Sequence, residues 1–201
     1  MDWIIRQSPF THAAWALLLA AAAEQFLVGH SGWGWGALSG AGAVLMWVLF
    51  ERYLRLAAPR SFIAGFAVFV VATLLLGEIR LYYVRFPLWD YAIHTVAGVA
   101  FAAFGALVAK ALCVPPVLLF AALFGTSCGV VWEVFEYLFD VTFGIDTQTD
   151  LPDTMHDLMC NTAGSAVGAW SSARWAQGKG AGPAGRCLDD FVAANGRFFE
   201  R

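Results

Sequence analysis

Long apolar runs alternate with short polar connections along most of the chain. An apolar run of about 18 residues is long enough to cross the hydrocarbon core of a bilayer as a helix. Runs of about this length cover residues 11–28, 33–50, 61–77, 91–109, 115–138 and 154–175. The pattern therefore predicts an all-α fold, a polytopic integral membrane helical bundle of about six transmembrane helices.

The two ends of the chain depart from this pattern. Arg6 and the alanine-rich run after it also resemble a signal peptide, so residues 1–23 are either a first helix or a cleaved leader. Segment 177–201 is rich in Gly and Ala, which predicts a partly flexible tail with a short surface helix near 189–199. We expect a transmembrane domain at 1–176, followed by a cytoplasmic tail.

The overall composition agrees with a membrane protein. Hydrophobic residues make up 60% of the chain and charged residues only 13%, whereas about a quarter of the residues in soluble domains are charged. The mean hydropathy is +0.65. The four cysteines form no Cys-x-x-Cys spacing, so we expect neither a disulfide framework nor a zinc–thiolate or redox site.

Basic residues are distributed unevenly between alternate connections. The N-terminus, the second and fourth connections and the tail region carry ten of them: Arg6, Arg52, Arg55, Arg60, Lys110, Arg174, Lys179, Arg186, Arg197 and Arg201. The odd-numbered connections carry only Arg80 and Arg85. By the positive-inside rule, both termini lie in the cytoplasm and the odd-numbered connections face outward.

Acidic residues show the complementary distribution. Ten of the fifteen carboxylates lie at the predicted outer face: Glu24, Glu78, Asp90, Glu133, Glu136, Asp140, Asp146, Asp150, Asp153 and Asp157. Such an acidic vestibule concentrates cations and repels free anions. It also argues against binding of nucleic acid, whose backbone is anionic.

Candidate chemistry begins with acidic residues and a histidine that share helix faces. Asp90 and His94 are four residues apart, and Glu133 and Glu136 are three apart, so each pair projects from one face. Simpler interpretations remain open: Asp90 suits a helix N-cap, and His94 suits a satisfied core histidine. The glutamates form a hydrated rim, or, if buried together, they share a proton or bind a metal ion.

The last apolar segment extends this polar set. Pro152 and Asp153 are typical of a helix start, so Asp153 is predicted to be its cap. The acids before it are predicted to form a solvated rim: Asp140, Asp146 and Asp150. A stripe of polar and then small residues follows: Asp157, Asn161, Gly164 and Gly168.

A second stripe of small residues, Gly125 and Gly129, lies on the fifth segment just before Glu133. Small residues let transmembrane helices approach closely, so we expect the fifth and sixth segments to pack against each other. That packing would bring four polar side chains together: Glu133, Glu136, Asp157 and Asn161.

Three motifs follow one another between about residues 75 and 168: Asp-x3-His, Trp-Glu-x2-Glu and Asp-Thr-x2-Asp-Leu-x2-Asn-x2-Gly. This order resembles the YjdF-type uncharacterised inner-membrane family and, more distantly, VanZ-like membrane proteins. The residues that carry the resemblance are Asp90, His94, Trp132, Glu133, Glu136, Asp153, Asp157, Asn161 and Gly164. It implies a multi-pass helical bundle of a bacterial-type inner (cytoplasmic) membrane, with polar residues clustered at one face. It implies no established reaction; the link of VanZ-like proteins to glycopeptide resistance implies an envelope or lipid role.

One functional hypothesis is a site for a lipid-linked or envelope substrate at the outer leaflet. Its acid–base and positioning residues would be Asp90, His94, Glu133, Glu136, Asp157 and Asn161. Four of them would hold a divalent cation: His94, Glu133, Glu136 and Asp157. Oxygen ligands suit Mg²⁺, Mn²⁺ or Ca²⁺, and the histidine admits Zn²⁺. The outer bases Arg80 and Arg85, with Asp153, would bind the substrate head group.

Two alternatives use the same residues differently. The polar groups could fix helix register in a non-enzymatic structural or partner-binding membrane subunit. They could also serve a cation-coupled transporter, although transporters place polar groups near the membrane midplane, where these segments have almost none.

Overall fold

The computed structural model describes residues 7–54, 56–86, 88–143, 148–180 and 182–199, and all regular structure among them is helical. The helices are α1 (Pro9–Leu27), α2 (Ser31–Leu54), α3 (Arg60–Val70, continued by the π-helix Val71–Ile79), α4 (Tyr82–Arg85), α5 (Trp89–Ala111), α6 (Val117–Phe143), α7 (Leu151–Ala176) and α8 (Pro183–Ala194). A 3₁₀ turn, Gly196–Phe198, follows α8. Several charged positions used above lie outside the described residues: Arg6, Arg55, Asp146, Arg201 and the side chain of Arg52.

Each predicted apolar segment contains a long helix, which confirms the all-α prediction for the described part of the chain. Within that part, four helices are long and apolar enough to cross a membrane: Pro9–Leu27, Arg60–Ile79, Trp89–Ala111 and Val117–Thr142. That α2 and α7 also cross stays a prediction, as does the cytoplasmic location of both termini. The lower apolarity of α7 follows from its polar side chains, among them Asp157, Asn161 and Arg174.

The chain divides into two compact units. The first comprises Met1–Phe86 with Asp189–Gly196, and the second comprises Pro87–Leu188 with Arg197–Arg201. Small aliphatic residues of α1, α2 and α3 build the core of the first unit: Ala14, Leu18, Ala21, Ala22, Ala37, Ala41, Val44, Ala67, Val70 and Leu75. None of the four cysteines, all of which lie in the described part of the chain, forms a disulfide.

A buried asparagine joins the end of the tail to the connection after α2 within the first unit. The Asn195 side chain accepts from the backbone N–H of Ala57 (2.8 Å) and donates to the Ala57 carbonyl (2.7 Å). A helix is present in the predicted tail, but it spans Pro183–Ala194 and so begins earlier than the predicted 189–199. Proline favours the first turn of a helix, which explains the start at Pro183. The contact holds Asn195 beside the connection after α2 in this unit.

The second unit is built on very close packing of α5 against α7. A Cβ added at Gly98 on α5 would lie 2.8 Å from the backbone nitrogen of Ser165 on α7, and one added at Gly168 would lie 2.8 Å from the Cα of Val99. At Gly164 an added Cβ would clash with the carbonyl of Thr95. Only glycine at these positions allows the two backbones to approach this closely.

Helix α6 contacts a different face of α7. Gly125 lies against the Ser165 side chain and Gly129 against the Asn161 side chain, so the predicted packing of the fifth and sixth segments is confirmed. The glycines of α7, however, face α5 and not α6. A stripe of small residues indicates a close crossing but does not identify the partner helix, so the sequence alone could not assign Gly164 and Gly168 to the contact with α5.

Candidate functional site

The site lies at one end of the second unit, where α5 and α7 begin and α6 approaches its end. On α5, Asp90 and Lys110 are about 20 residues apart, or about 30 Å, which matches the hydrocarbon thickness of a bilayer. At the far end of this unit, the Lys110 ammonium lies 4.8 Å from the Trp175 ring of α7. The acids of the site and the Lys110 ammonium thus lie at opposite ends of the second unit.

Asp90 belongs to the first turn of α5 and does not cap it. The helix begins at Trp89, its N-cap residue is Leu88, and no side chain caps it. The alternative prediction of Asp90 as the N-cap is therefore wrong, because the residue is already inside the helix. Its Oδ1 instead lies 3.4 Å from Nε2 of His94, one turn further along. A carboxylate in a first turn is also favoured by the helix dipole.

The start of α7 differs from the prediction in the same way. Asp150 is the N-cap, and its Oδ1 accepts from the backbone N–H of Asp153 (2.9 Å). Asp153, predicted to be the cap, is the third helical residue and accepts from the Thr149 hydroxyl (2.5 Å). Asp150 is exposed, as predicted for the rim, and it also caps α7. The Asp-x-x-Asp spacing resembles a capping box and could have indicated this.

His94 is the centre of the cluster and meets carboxylates from three helices. Its Nε2 lies 3.4 Å from Asp90 Oδ1 and 3.8 Å from Asp157 Oδ1. Its Nδ1 lies 3.8 Å from Glu133 Oε1. These separations exceed the 2.7–3.2 Å that is usual for N–H···O hydrogen bonds. The carboxylates therefore surround the imidazole at distances longer than ordinary hydrogen bonds.

Several oxygens at this end are buried without a hydrogen-bond partner among the described residues: Glu133 Oε1, Asp157 Oδ1 and Asn161 Oδ1. These residues are 5%, 4% and 2% exposed. Leaving one such atom unsatisfied costs about 1–3 kcal/mol, and more for a charged group. A cation or added protons would satisfy these oxygens.

The predicted site residues fall into two sets by distance. Ligand atoms of Asp90, His94 and Asp157 all lie within 4.8 Å of one another, which is a spacing that could hold a metal ion. Glu133 contacts the opposite nitrogen of the ring, and Glu136 is half-buried one turn further along α6. The metal-ligand roles that the sequence predicts for these two glutamates stay predictions.

Gln148 is a site residue that the sequence did not single out. Its side-chain amide donates to Glu133 Oε2 (3.5 Å), and its backbone N–H donates to Asp140 Oδ2 (2.9 Å). Asp140, predicted as part of a solvated rim, thus anchors the chain after α6. No helical periodicity points to Gln148, because it lies outside α6 and contacts Glu133 inside that helix. The rings of Tyr91 and His156, 5.6 Å apart, also join the starts of α5 and α7 and were likewise missed.

The two arginines that were predicted to bind the substrate head group belong to the first unit. Arg80 pairs with Glu24 at the end of α1 through two contacts of 3.2 and 2.6 Å. Arg85 is exposed on α4. Their role in substrate binding stays a prediction.

Comparison with known proteins agrees with the fold and adds no activity. No curated protein and no solved structure matches the chain. A protein family described as "Predicted membrane protein (DUF2238)" matches residues 10–178, which is well over half of the chain. The match confirms the expectation of an uncharacterised membrane-protein family, whereas the likeness to VanZ-like proteins stays a prediction. With its apolar helices and this match, the chain belongs to the family of predicted membrane proteins DUF2238.

Proposed function

We propose that this membrane protein binds a divalent cation through Asp90, His94 Nε2 and Asp157, and uses it on a lipid-linked or envelope substrate. The observation that carries the proposal is the convergence of two carboxylate oxygens on one ring nitrogen, at 3.4 and 3.8 Å. The buried Asp157 oxygen has no hydrogen-bond partner among the described residues, so a cation would satisfy it.

The distances support an ion with short bonds to nitrogen and oxygen. Two ligands bound tetrahedrally to zinc at about 2.0–2.1 Å lie about 3.4 Å apart. The separations around Nε2 are close to that value. Imidazole is a poor ligand for Mg²⁺ and Ca²⁺, which prefer all-oxygen sites, so Zn²⁺ or Mn²⁺ fits best. Three protein ligands leave a coordination position open, as in catalytic sites and unlike closed structural ones.

The surroundings of the site support a lipid-linked substrate. Next to Glu133, the exposed rings of Trp132 and Phe135 lie 5.7 Å apart on α6 and offer an apolar surface at the same level. Aromatic side chains favour the membrane interface, where lipid head groups lie. A bound cation would polarise an oxygen of such a head group, and it would offset the negative charge of the surrounding carboxylates toward an anionic group.

The test is metal content and metal-dependent stability of the full chain purified in detergent without a chelator. We expect stoichiometric Zn²⁺ or Mn²⁺ by elemental analysis, and a lower melting temperature after the metal is removed. Asp157→Asn and His94→Gln should abolish metal binding, and chelation should then leave their melting temperatures unchanged. Asp190→Asn, at an exposed carboxylate on α8, should keep the metal content and the chelator response of the wild type. Wild-type protein that binds neither metal and melts at the same temperature after chelation would contradict the proposal.

The main alternative is a structural network in which a protonated His94 neutralises its carboxylates and fixes the packing of α5, α6 and α7. It is favoured by the contacts of His94 with residues on all three helices. Removing one partner of such a buried pair is strongly destabilising. This alternative therefore predicts that Asp157→Asn lowers the melting temperature equally with and without chelator.

A further inference from the structure

The two nitrogens of His94 face chemically different surroundings. Nε2 faces the two carboxylates Asp90 and Asp157, while among the described residues the carboxylate within 4 Å of Nδ1 is that of Glu133, which comes from another helix. A neutral imidazole offers one lone pair and one N–H, so only one of its nitrogens can bind an ion. The nitrogen with two further ligands beside it is Nε2, which leaves Nδ1 to carry the hydrogen.

Glu133 is placed to accept that hydrogen. Glu133 is 5% exposed, and its Oε1, 3.8 Å from Nδ1, has no hydrogen-bond partner among the described residues. An approach of about 1 Å would turn this separation into an ordinary hydrogen bond. The other carboxylate oxygen, Oε2, accepts a long hydrogen bond from the side-chain amide of Gln148 (3.5 Å).

We infer that Glu133 is a positioning residue that orients His94 for the ion and is held by Gln148, and that it is not itself a metal ligand. The inference rests on the proposed function, because it assigns a role relative to the cation at Nε2. Metal-binding histidines usually donate their second N–H to a carboxylate, which fixes the ring orientation and makes the ligand nitrogen more basic. The arrangement Gln148–Glu133–His94 supplies such a carboxylate and a restraint on it.

The role explains two features of the chain together. A carboxylate deep in an apolar helix is expensive in a membrane and needs a specific partner. The backbone N–H of Gln148 donates to Asp140 near the end of α6, which holds Gln148 within reach of Glu133. The position of Gln148 is thus fixed independently of its amide contact with Glu133.

The experiment measures Zn²⁺ and Mn²⁺ affinity of the full-length chain in detergent by competition with a chelating dye. Glu133→Gln should bind metal with unchanged stoichiometry but about 10–100-fold more weakly, the usual loss for such an outer residue. Gln148→Ala should weaken binding by a smaller factor, and Asp190→Asn should leave the affinity unchanged. X-ray absorption at the metal edge should find the same ligand number in Glu133→Gln as in the wild type.

A purely structural role of Glu133 would give a different result. The variants would then lower the melting temperature of the metal-free protein, but folded protein would bind the metal with unchanged affinity. Unchanged affinity in both variants would overturn the inference but not the proposed function. Complete loss of the ion from folded Glu133→Gln, as in Asp157→Asn, would make Glu133 a ligand and also overturn it. If Glu133→Gln does not fold, the Gln148→Ala affinity decides: weaker binding supports the inference and unchanged binding overturns it. Wild-type protein without metal affinity would overturn the proposed function, and the inference with it.

Discussion

Replacing Gly98 by alanine should destabilise the second unit, although the same change usually stabilises a helix. In an unconstrained helix the substitution gains about 0.8–1 kcal/mol. At Gly98 the added Cβ would lie 2.8 Å from the Ser165 nitrogen and would clash with the Asn161 carbonyl. Ordinary van der Waals contact begins at 3.4 Å, so the crossing must open by about 0.6 Å or more, because backbone atoms cannot rotate away.

Forcing extra volume into a packed contact costs about 1–3 kcal/mol, and contacts with backbone lie at the upper end of that range. After the gain in helix propensity, we expect a net loss of about 1–2 kcal/mol in the free energy of unfolding. The matched control is Gly65→Ala on α3, where an added Cβ meets nothing within 4 Å. That variant should be as stable as the wild type, or more stable by up to about 1 kcal/mol.

The assay is equilibrium unfolding in mixed micelles, followed by far-ultraviolet circular dichroism, with metal affinity measured on the same samples. Opening the crossing moves α7 near Asn161, one turn from Asp157, so Gly98→Ala should also weaken metal binding while Gly65→Ala does not. A Gly98→Ala protein that is stabilised as much as Gly65→Ala would refute the close approach of α5 and α7.

Two further predictions concern local contacts. Asn195→Ala removes both hydrogen bonds to Ala57 and should lower the unfolding free energy by about 2 kcal/mol. Asn195→Asp should cost at least as much, because its second carboxylate oxygen would face the carbonyl oxygens of Ala57 and Phe191. Thermal unfolding measures this, and equal stability of all three proteins would argue against the contact. Asp150→Ala should cost about 1 kcal/mol through loss of the α7 cap, more than Asp153→Ala does. The reverse order in the same assay would restore Asp153 as the cap.

Hydropathy was sufficient to locate every long helix, because a backbone in hydrocarbon must satisfy its hydrogen bonds within the helix. The helices extend beyond the apolar runs, as in α3 with its π-helical continuation to Ile79, since hydrogen bonding continues into the polar interface. Helical spacing also identified His94 with Asp90 as a pair on one face, which the structure confirms.

The parts that the sequence could not settle depend on contacts between distant segments. Both Asp150 and Asp153 fit a helix start, and only the traced backbone distinguishes them. A sequence does not distinguish the two nitrogens of His94, and the positions of Glu133 and Asp157 on opposite nitrogens of the ring depend on how three helices pack. Gln148 acts across a connection and leaves no periodic signal.

The glycine contacts between α5 and α7 also restrict how this protein can diverge. At Gly98, Gly164 and Gly168 even a methyl group meets the neighbouring backbone, so most mutations there would be removed by selection unless both helices changed at once. At Gly42 and Gly65 an added Cβ meets nothing nearby, and these positions are free to drift. Descendants of this chain would therefore keep the α5–α7 crossing, and the cluster above it, long after their lipid-facing residues had been replaced.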